Sequence, residues 1–351
     1  MSRIFVAGTG AVSPAGWGMG PLQNALQIGT PLAIQPLDRP GSSPLRGRPV
    51  PAPATRPAFL AHPRLRRASP ITHYAAAAAL EAMAPLLARP AGIRRVGIVA
   101  CLDAGCVQYS CRFFEETLKD PATASPLLFP ETVFSAIASN VSSLLEQPPS
   151  LHTLIGDSAT FLQGLALAAD WLVDSRVDAC LVIGTGELNW LLADALWHLD
   201  HSAVLTAGAG AIALVCDQSL SSGTELKAIS SSHTYTSRVS RHNAASRMRQ
   251  QLPAPAPADL LCDSLGDNPR TNRAELDAWS DWTGPRLSPR RILGEGLVAA
   301  TGWQCAAAVD LLNRGTHTGA NVSVAGTNQQ AIGARFARHE FPQPSPLPQH
   351  P

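Results

Sequence analysis

With 351 residues, an apolar fraction of 45% and a charged fraction of 15%, the chain reads as an ordinary globular protein able to bury a large core. A formal charge of +1 supplies no basic field, which argues against a nucleic-acid partner. No uncharged apolar run approaches the length that spans a bilayer, and the stretch from Ile4 to Val12 is too short and too glycine-rich for a secretory signal.

Ile4 to Ala7 form a short apolar strand leading into GTGAVSPAGWG. Gly8 and Gly10 begin a dinucleotide-like pattern, but its third glycine position is Ser13, and no acid stands about twenty residues on, where a ribose would need one. From Gly29 to Pro63 the chain is proline-rich without sustained periodicity, an excursion over the surface. SPITHYAAAAALEAM then predicts a helix that begins near Thr72 and is limited by Pro85. Its alanines imply close packing on neighbouring elements. Val96 to Ala100 is the next buried strand.

Cys101, Cys106 and Cys111 follow at intervals of five, without a paired CxxC or a nearby histidine, which is poor zinc spacing. No metal and no cofactor is expected. Cys106 stands as an alternative nucleophile with no identifiable base. The seven cysteines are odd in number and scattered through core segments, as in reduced thiols of a cytoplasmic protein. Ser125 to Leu145 predicts an amphipathic core helix capped near Glu131.

The segment from Leu151 to Glu187 carries the densest pattern. Leu154 and Ile155 end a strand at Gly156, and Phe161, Leu162, Leu165, Ala168, Ala169 and Leu172 then recur at helical spacing. Asp174 to Asp178 break the helix, and Ala179 to Ile183 form an apolar run typical of a strand covered on both faces. Gly156, Asp157 and Ser158 thus fall at a helix N-terminus, with Asp157 or Ser158 as its cap. Gly156-Asp157-Ser158 is not matched by the late Asp-x-x-His that a serine hydrolase of that motif would need. Trp190 to Leu199 continue as helix and Gly208 to Cys216 as strand. Arg238, Arg241, Arg247 and Arg249 form a basic patch, either a solvated surface or a contact for an acidic partner.

This order of strand, turn, helix and strand, closing on Gly184, Gly186 and Glu187, resembles the nucleophile region of the β-ketoacyl synthases, condensing enzymes of the thiolase fold. The N-terminal GTGAVSPAGWG resembles that family's first strand and turn, where glycines let strand pass tightly into helix. The resemblance implies an α/β, thiolase-like fold: two pseudo-duplicated βαβαβαββ halves in a layered α-β-α-β-α arrangement. Residues 1–220 would form the first half, 221–338 a shortened second half, and 339–351 a Pro-rich, loosely attached tail.

The family's catalytic residues are replaced. The cysteine position holds Ser158, or Ala159 if counted back from Glu187. The first histidine's place holds Ser264, the second Glu295, and the lysine's Arg290. The gate motif appears as Ser323-Val324-Ala325-Gly326, before the expected Thr327-Asn328. A serine without a base is a poor nucleophile, and an anion at position 295 would repel charge on a thioester oxygen. Such a chain resembles the chain length factors, inactive partners of an active ketosynthase in type II polyketide synthesis, including the aryl polyene type. That likeness implies a heterodimer or heterotetramer with an active ketosynthase, contact with an acyl carrier protein, and Phe134 as a tunnel or interface residue. The alternatives are an acyltransferase or hydrolase using Ser158 or Cys106, and a homodimeric acyl-chain binder.

Overall fold

Glycine in the first strand and alanine in the first long helix form one packing device. In this computed structural model, which describes residues 3–89, 93–145, 150–220, 222–254, 256–326 and 329–339, strand β1 (Ile4–Ser13) lies directly against helix α1 (Pro70–Leu87). A Cβ on Gly8 would meet the carbonyl oxygen of Ala82 at 2.2 Å, and one on Gly10 that of Ala78 at 2.0 Å. The glycine pair is therefore structural, and the strand runs well past Ala7. The helix starts at Pro70 rather than near Thr72 and contains Pro85 instead of stopping there. The ring of Pro85 fits over Gly8, whose missing side chain leaves the space. Glu81 ties helix and strand together, its carboxylate accepting the amides of Ala11 at 3.0 Å and Met19 at 2.8 Å.

Five strands form the first half: β1, β2 (Val96–Leu102), β3 (Ser150–Ile155), β4 (Ala179–Gly186) and β5 (Gly208–Val215). Their order across the sheet is β3-β2-β4-β5-β1, with β5 antiparallel to both neighbours and the pairs β3-β2 and β2-β4 parallel. The second set is β6 (Thr224–Ile229), β7 (Leu260–Cys262), β8 (Arg286–Leu287), β9 (Gly319–Ala325) and β10 (Gln330–Arg338). It repeats the order as β8-β7-β9-β10-β6, again with its fifth strand antiparallel to both neighbours and the pairs β8-β7 and β7-β9 parallel. β1 and β6 pair antiparallel, Ile4 opposite Leu226, and join the two sets.

The layers follow from strand alternation. On β2, Ile98, Ala100 and Leu102 face α1, while Val99 and Cys101 face the middle of the molecule. There helix α3 (Thr160–Val173), which precedes β4, packs beside its counterpart helix α6 (Val298–Asn313), which precedes β9. Gly210 and Gly302 touch where α6 crosses β5, their atoms too close for any side chain. Helices α4 (Arg238–Gln251) and α5 (Pro269–Ala278) cover the far face of the second sheet, over Trp279 and Leu261. The result is α-β-α-β-α.

Two expectations fail locally. The excursion from Gly29 to Pro63 contains strands Gln35–Leu37 and Leu45–Arg48, which form a small sheet with Leu205–Thr206. Arg48 is buried there, its Nε donating to the Leu32 carbonyl at 2.8 Å. The segment from Ser125 to Leu145 is not one helix. It breaks into Phe129–Thr132 and Ala136–Ser142, because Val133 is extended and Glu131, instead of capping, takes the Asn140 amide at 2.9 Å and the Ser69 amide at 3.2 Å. Thr327, Asn328 and the Pro-rich residues 340–351 lie outside the described residues.

Candidate functional site

The topology brings the N-termini of α3 and α6 together at one end of the middle layer. Thr301 of α6 donates its hydroxyl to the carbonyl of Ser158 at 2.7 Å. Ser158 is buried, and its own Oγ has no hydrogen-bond partner among the described residues. The capping work falls to Asp157, whose Oδ1 accepts the Ala159 amide at 3.1 Å. The same carboxylate accepts the Gln329 amide and Gln330 Nε2, each at 3.1 Å, and so ties this turn to the start of β10. Ala159, the other candidate for the nucleophile position, is fully buried and offers no reactive atom.

Ser264 follows β7. Its Oγ donates to Glu275 Oε2 at 2.6 Å and accepts the Ala325 amide at 3.2 Å, fixing the segment Ser323 to Gly326. Burial raises the Glu275 carboxyl to about 7, with a further rise from Asp263. Arg290 and Glu295, expected from the sequence at the lysine and second-histidine places, form a buried ion pair with each other. Arg290 also donates to the Ser264 carbonyl at 3.2 Å. Burial, and then the Arg241 guanidinium, lower Arg290 to about 10, which leaves it cationic near neutrality. Glu295 Oε1 accepts the Leu297 amide at 2.9 Å, across a backbone turn in which Leu297 takes a φ of 48°. Ser158, Ser264, Arg290 and Glu295 thus lie around one region, yet none forms a nucleophile–base pair with Ser158.

Cys106 belongs elsewhere, at the start of helix α2, which we place at Val107–Lys119. Its thiol sits 3.9 Å from Glu187 Oε2 and is pushed up to about 12, first by burial and then by Glu187. A buried thiol beside a carboxylate is the reverse of an activated one. Glu187 itself is raised to about 7 by burial, despite accepting the Gln108 amide at 2.7 Å. Among the described residues, no group of three or more His, Cys, Asp or Glu is placed to hold a metal ion.

Phe134 lies between the two short helices, 44% exposed, its ring against Gly105. The surrounding face is apolar: α2 buries none of its residues, Phe114 and Leu118 point outward, and Phe113 stacks near Phe129 at 5.6 Å. The edge strand β3, paired on one side only among the described residues, exposes Leu151 by 42% and Ile155 by 52%.

The basic patch is partly consumed by the fold. Arg249 lies over the Trp279 ring at 4.3 Å, and Arg241 donates to the Ala325 carbonyl at 3.0 Å. Arg238 and Arg241 nevertheless line a cleft of about 690 Å³ together with His201, His242, Arg270 and Arg273. Arg270 and Arg273 were not singled out from the sequence, although their three-residue spacing on a helix starting at Pro269 places them on one face.

No family model matches this sequence, and no curated protein matches it. The fold is that of the thiolase-like ketosynthases. A β-ketoacyl synthase from Burkholderia phymatum STM815 matches at a TM-score of 0.81 with 16% identity, over 97% of this chain and 100% of that one. A chain of a type II PKS acyl-carrier protein in complex with its ketosynthase bound to the hexaketide matches at 0.79 with 15% identity, over 96% and 99%. The ishigamide ketosynthase/chain length factor matches at 0.76 with 16% identity, over 96% and 100%. Among the described residues, no helix is long and apolar enough to cross a membrane.

Proposed function

We propose that this chain is a noncatalytic ketosynthase-like subunit, of the chain length factor kind, that pairs with an active β-ketoacyl synthase and shapes its acyl tunnel in polyketide or polyene synthesis. The observations that carry the reading are the buried Arg290–Glu295 pair and a Ser158 hydroxyl that has no base among the described residues. Condensation needs a thiolate to hold the acyl chain and donors to stabilise charge on a thioester oxygen. Here the cation that would serve is held by an anion. The open apolar face of α2, Phe134 and β3 supports the pairing, because an unpaired strand edge flanked by exposed Phe and Leu is a surface made to be covered. The neighbours include a ketosynthase/chain length factor and a ketosynthase holding a carrier protein. The arginine-lined cleft suits the acidic surface of such a carrier.

Co-expression with the ketosynthase encoded nearest to this chain, followed by native mass spectrometry, tests the reading. A one-to-one complex with condensing activity is expected. A lone homodimer, or condensing activity by the chain alone, would overturn it.

A further inference from the structure

The arginine-lined cleft of about 690 Å³ has the volume of a small-molecule site, which runs from about 300 to 1,000 Å³. It opens between the end of helix Trp190–Leu199 and the first turns of α4 and α5. Several of its charges are already matched. Arg241 is held by the Ala325 carbonyl, and Arg273 and His242 share Asp277 at 3.7 and 3.2 Å. Asp200 accepts the Ser202 hydroxyl at 2.7 Å and the Asn268 side-chain amide at 2.9 Å, and Asp267 lies within electrostatic reach of Arg48 and Arg290. Arg238 and Arg270 remain. Both are exposed, and neither guanidinium has a partner among the described residues. Folding alone does not explain them: Arg238 is the first residue of α4 and Arg270 the second of α5, where the helix dipole disfavours a cation, and neither first turn carries an acid.

We infer that the cleft binds a free nucleoside polyphosphate, with its phosphates at Arg238 and Arg270 and its base on His201. A guanidinium gives a phosphate paired, charge-assisted hydrogen bonds, and an anion set between two helix N-termini offsets the unfavourable placement of both arginines. His201, on the wall of the same cleft, leans on the Trp197 indole with ring centroids 4.3 Å apart, and Trp197 is 39% exposed. A purine laid on His201 continues that stack. The aromatic pair favours a nucleotide over a bare phosphate. The concavity favours a small polyanion over the carboxylates of a protein, which sit on a convex surface and meet only the rim. Such binding belongs to the chain alone and does not depend on a ketosynthase partner or on carrier docking.

Isothermal titration calorimetry of the full chain with ADP, inorganic pyrophosphate and adenosine tests it. ADP should bind with a Kd below about 1 mM, and pyrophosphate, which lacks the base, at least about fivefold more weakly. Adenosine should give no binding heat. Arg238→Ala with Arg270→Ala should weaken ADP binding at least about tenfold, and because both side chains are exposed the melting temperature should stay within a few degrees. His201→Ala should bring ADP down to the pyrophosphate value and leave pyrophosphate unchanged. No ADP binding in the millimolar range would overturn the proposal. So would ADP binding untouched by the arginine variant, or pyrophosphate matching ADP in the wild type, which would reduce the cleft to a general anion patch. Pairing with a ketosynthase is read separately, by native mass spectrometry, so either reading can fail without the other.

Discussion

Arg290 and Glu295 face each other in a buried ion pair. Breaking a buried pair strands the remaining charge, whereas replacing both partners with apolar groups removes the desolvation cost altogether. Glu295→Ala should therefore destabilise by about 3–5 kcal/mol, while Arg290→Met with Glu295→Leu should be neutral or gain about 1–4 kcal/mol. Urea titration of the variants checks the contrast. Equal losses in single and double variants would mean that the pair is not buried as described.

Ser158 carries a buried hydroxyl with no partner among the described residues, so its burial costs desolvation that no described hydrogen bond offsets. Ser158→Ala should leave stability unchanged or raise it by about 1 kcal/mol. Ser158→Cys should not create a condensing enzyme, because among the described residues no histidine or other base stands beside it. Acyl transfer to the new thiol at an enzymatic rate would refute that account.

The face around Phe134 makes a different kind of prediction, because exposed side chains affect association rather than folding. Leu151→Lys with Ile155→Lys should leave the melting temperature of the lone chain within a few degrees but abolish the complex in native mass spectrometry. In an intact complex, Phe134→Ala and Phe134→Trp should shift product length in opposite directions. Identical products would remove Phe134 from the tunnel.

Glu187 and Asp103 are both raised by burial, to about 7 and about 6. A carboxyl that binds its proton more tightly when folded stabilises the fold at low pH and loses that contribution as pH climbs through the folded value. Stability should therefore fall between about pH 4 and 7 through these two groups. Glu187→Gln keeps an acceptor for the Gln108 amide and removes the charge. It should flatten that slope and gain up to about 3 kcal/mol at pH 8. A parallel pH profile for wild type and variant would count against it.

Leu297 begins α6 at a φ of 48°, where a branched side chain is strained. Leu297→Gly relieves the backbone and Leu297→Ala does not. The glycine variant should therefore be the more stable of the two by about 1–3 kcal/mol, measured by thermal unfolding.

By itself the amino-acid sequence determined the elements that depend on neighbours along the chain. The apolar periods of α3 and β4, the alanine run of α1 and the turn at Gly156 are all local, and the order of segments carried the thiolase-like layering. It also named Ser158, Ser264, Arg290 and Glu295 as candidate residues, since a residue type needs no coordinates. The tertiary structure alone decided what those residues meet. That Arg290 meets Glu295, that Ser264 meets Glu275 across eleven positions, and that Arg270 joins Arg238 around one cleft are long-range contacts set by how helices cross sheets. It also decided that the segment around Glu131 breaks at Val133, and that Glu131 receives the Ser69 backbone amide and the Asn140 side-chain amide. Periodicity records which face of an element is buried but not what lies opposite, and charge and hydrogen-bond pairing depend on what lies opposite.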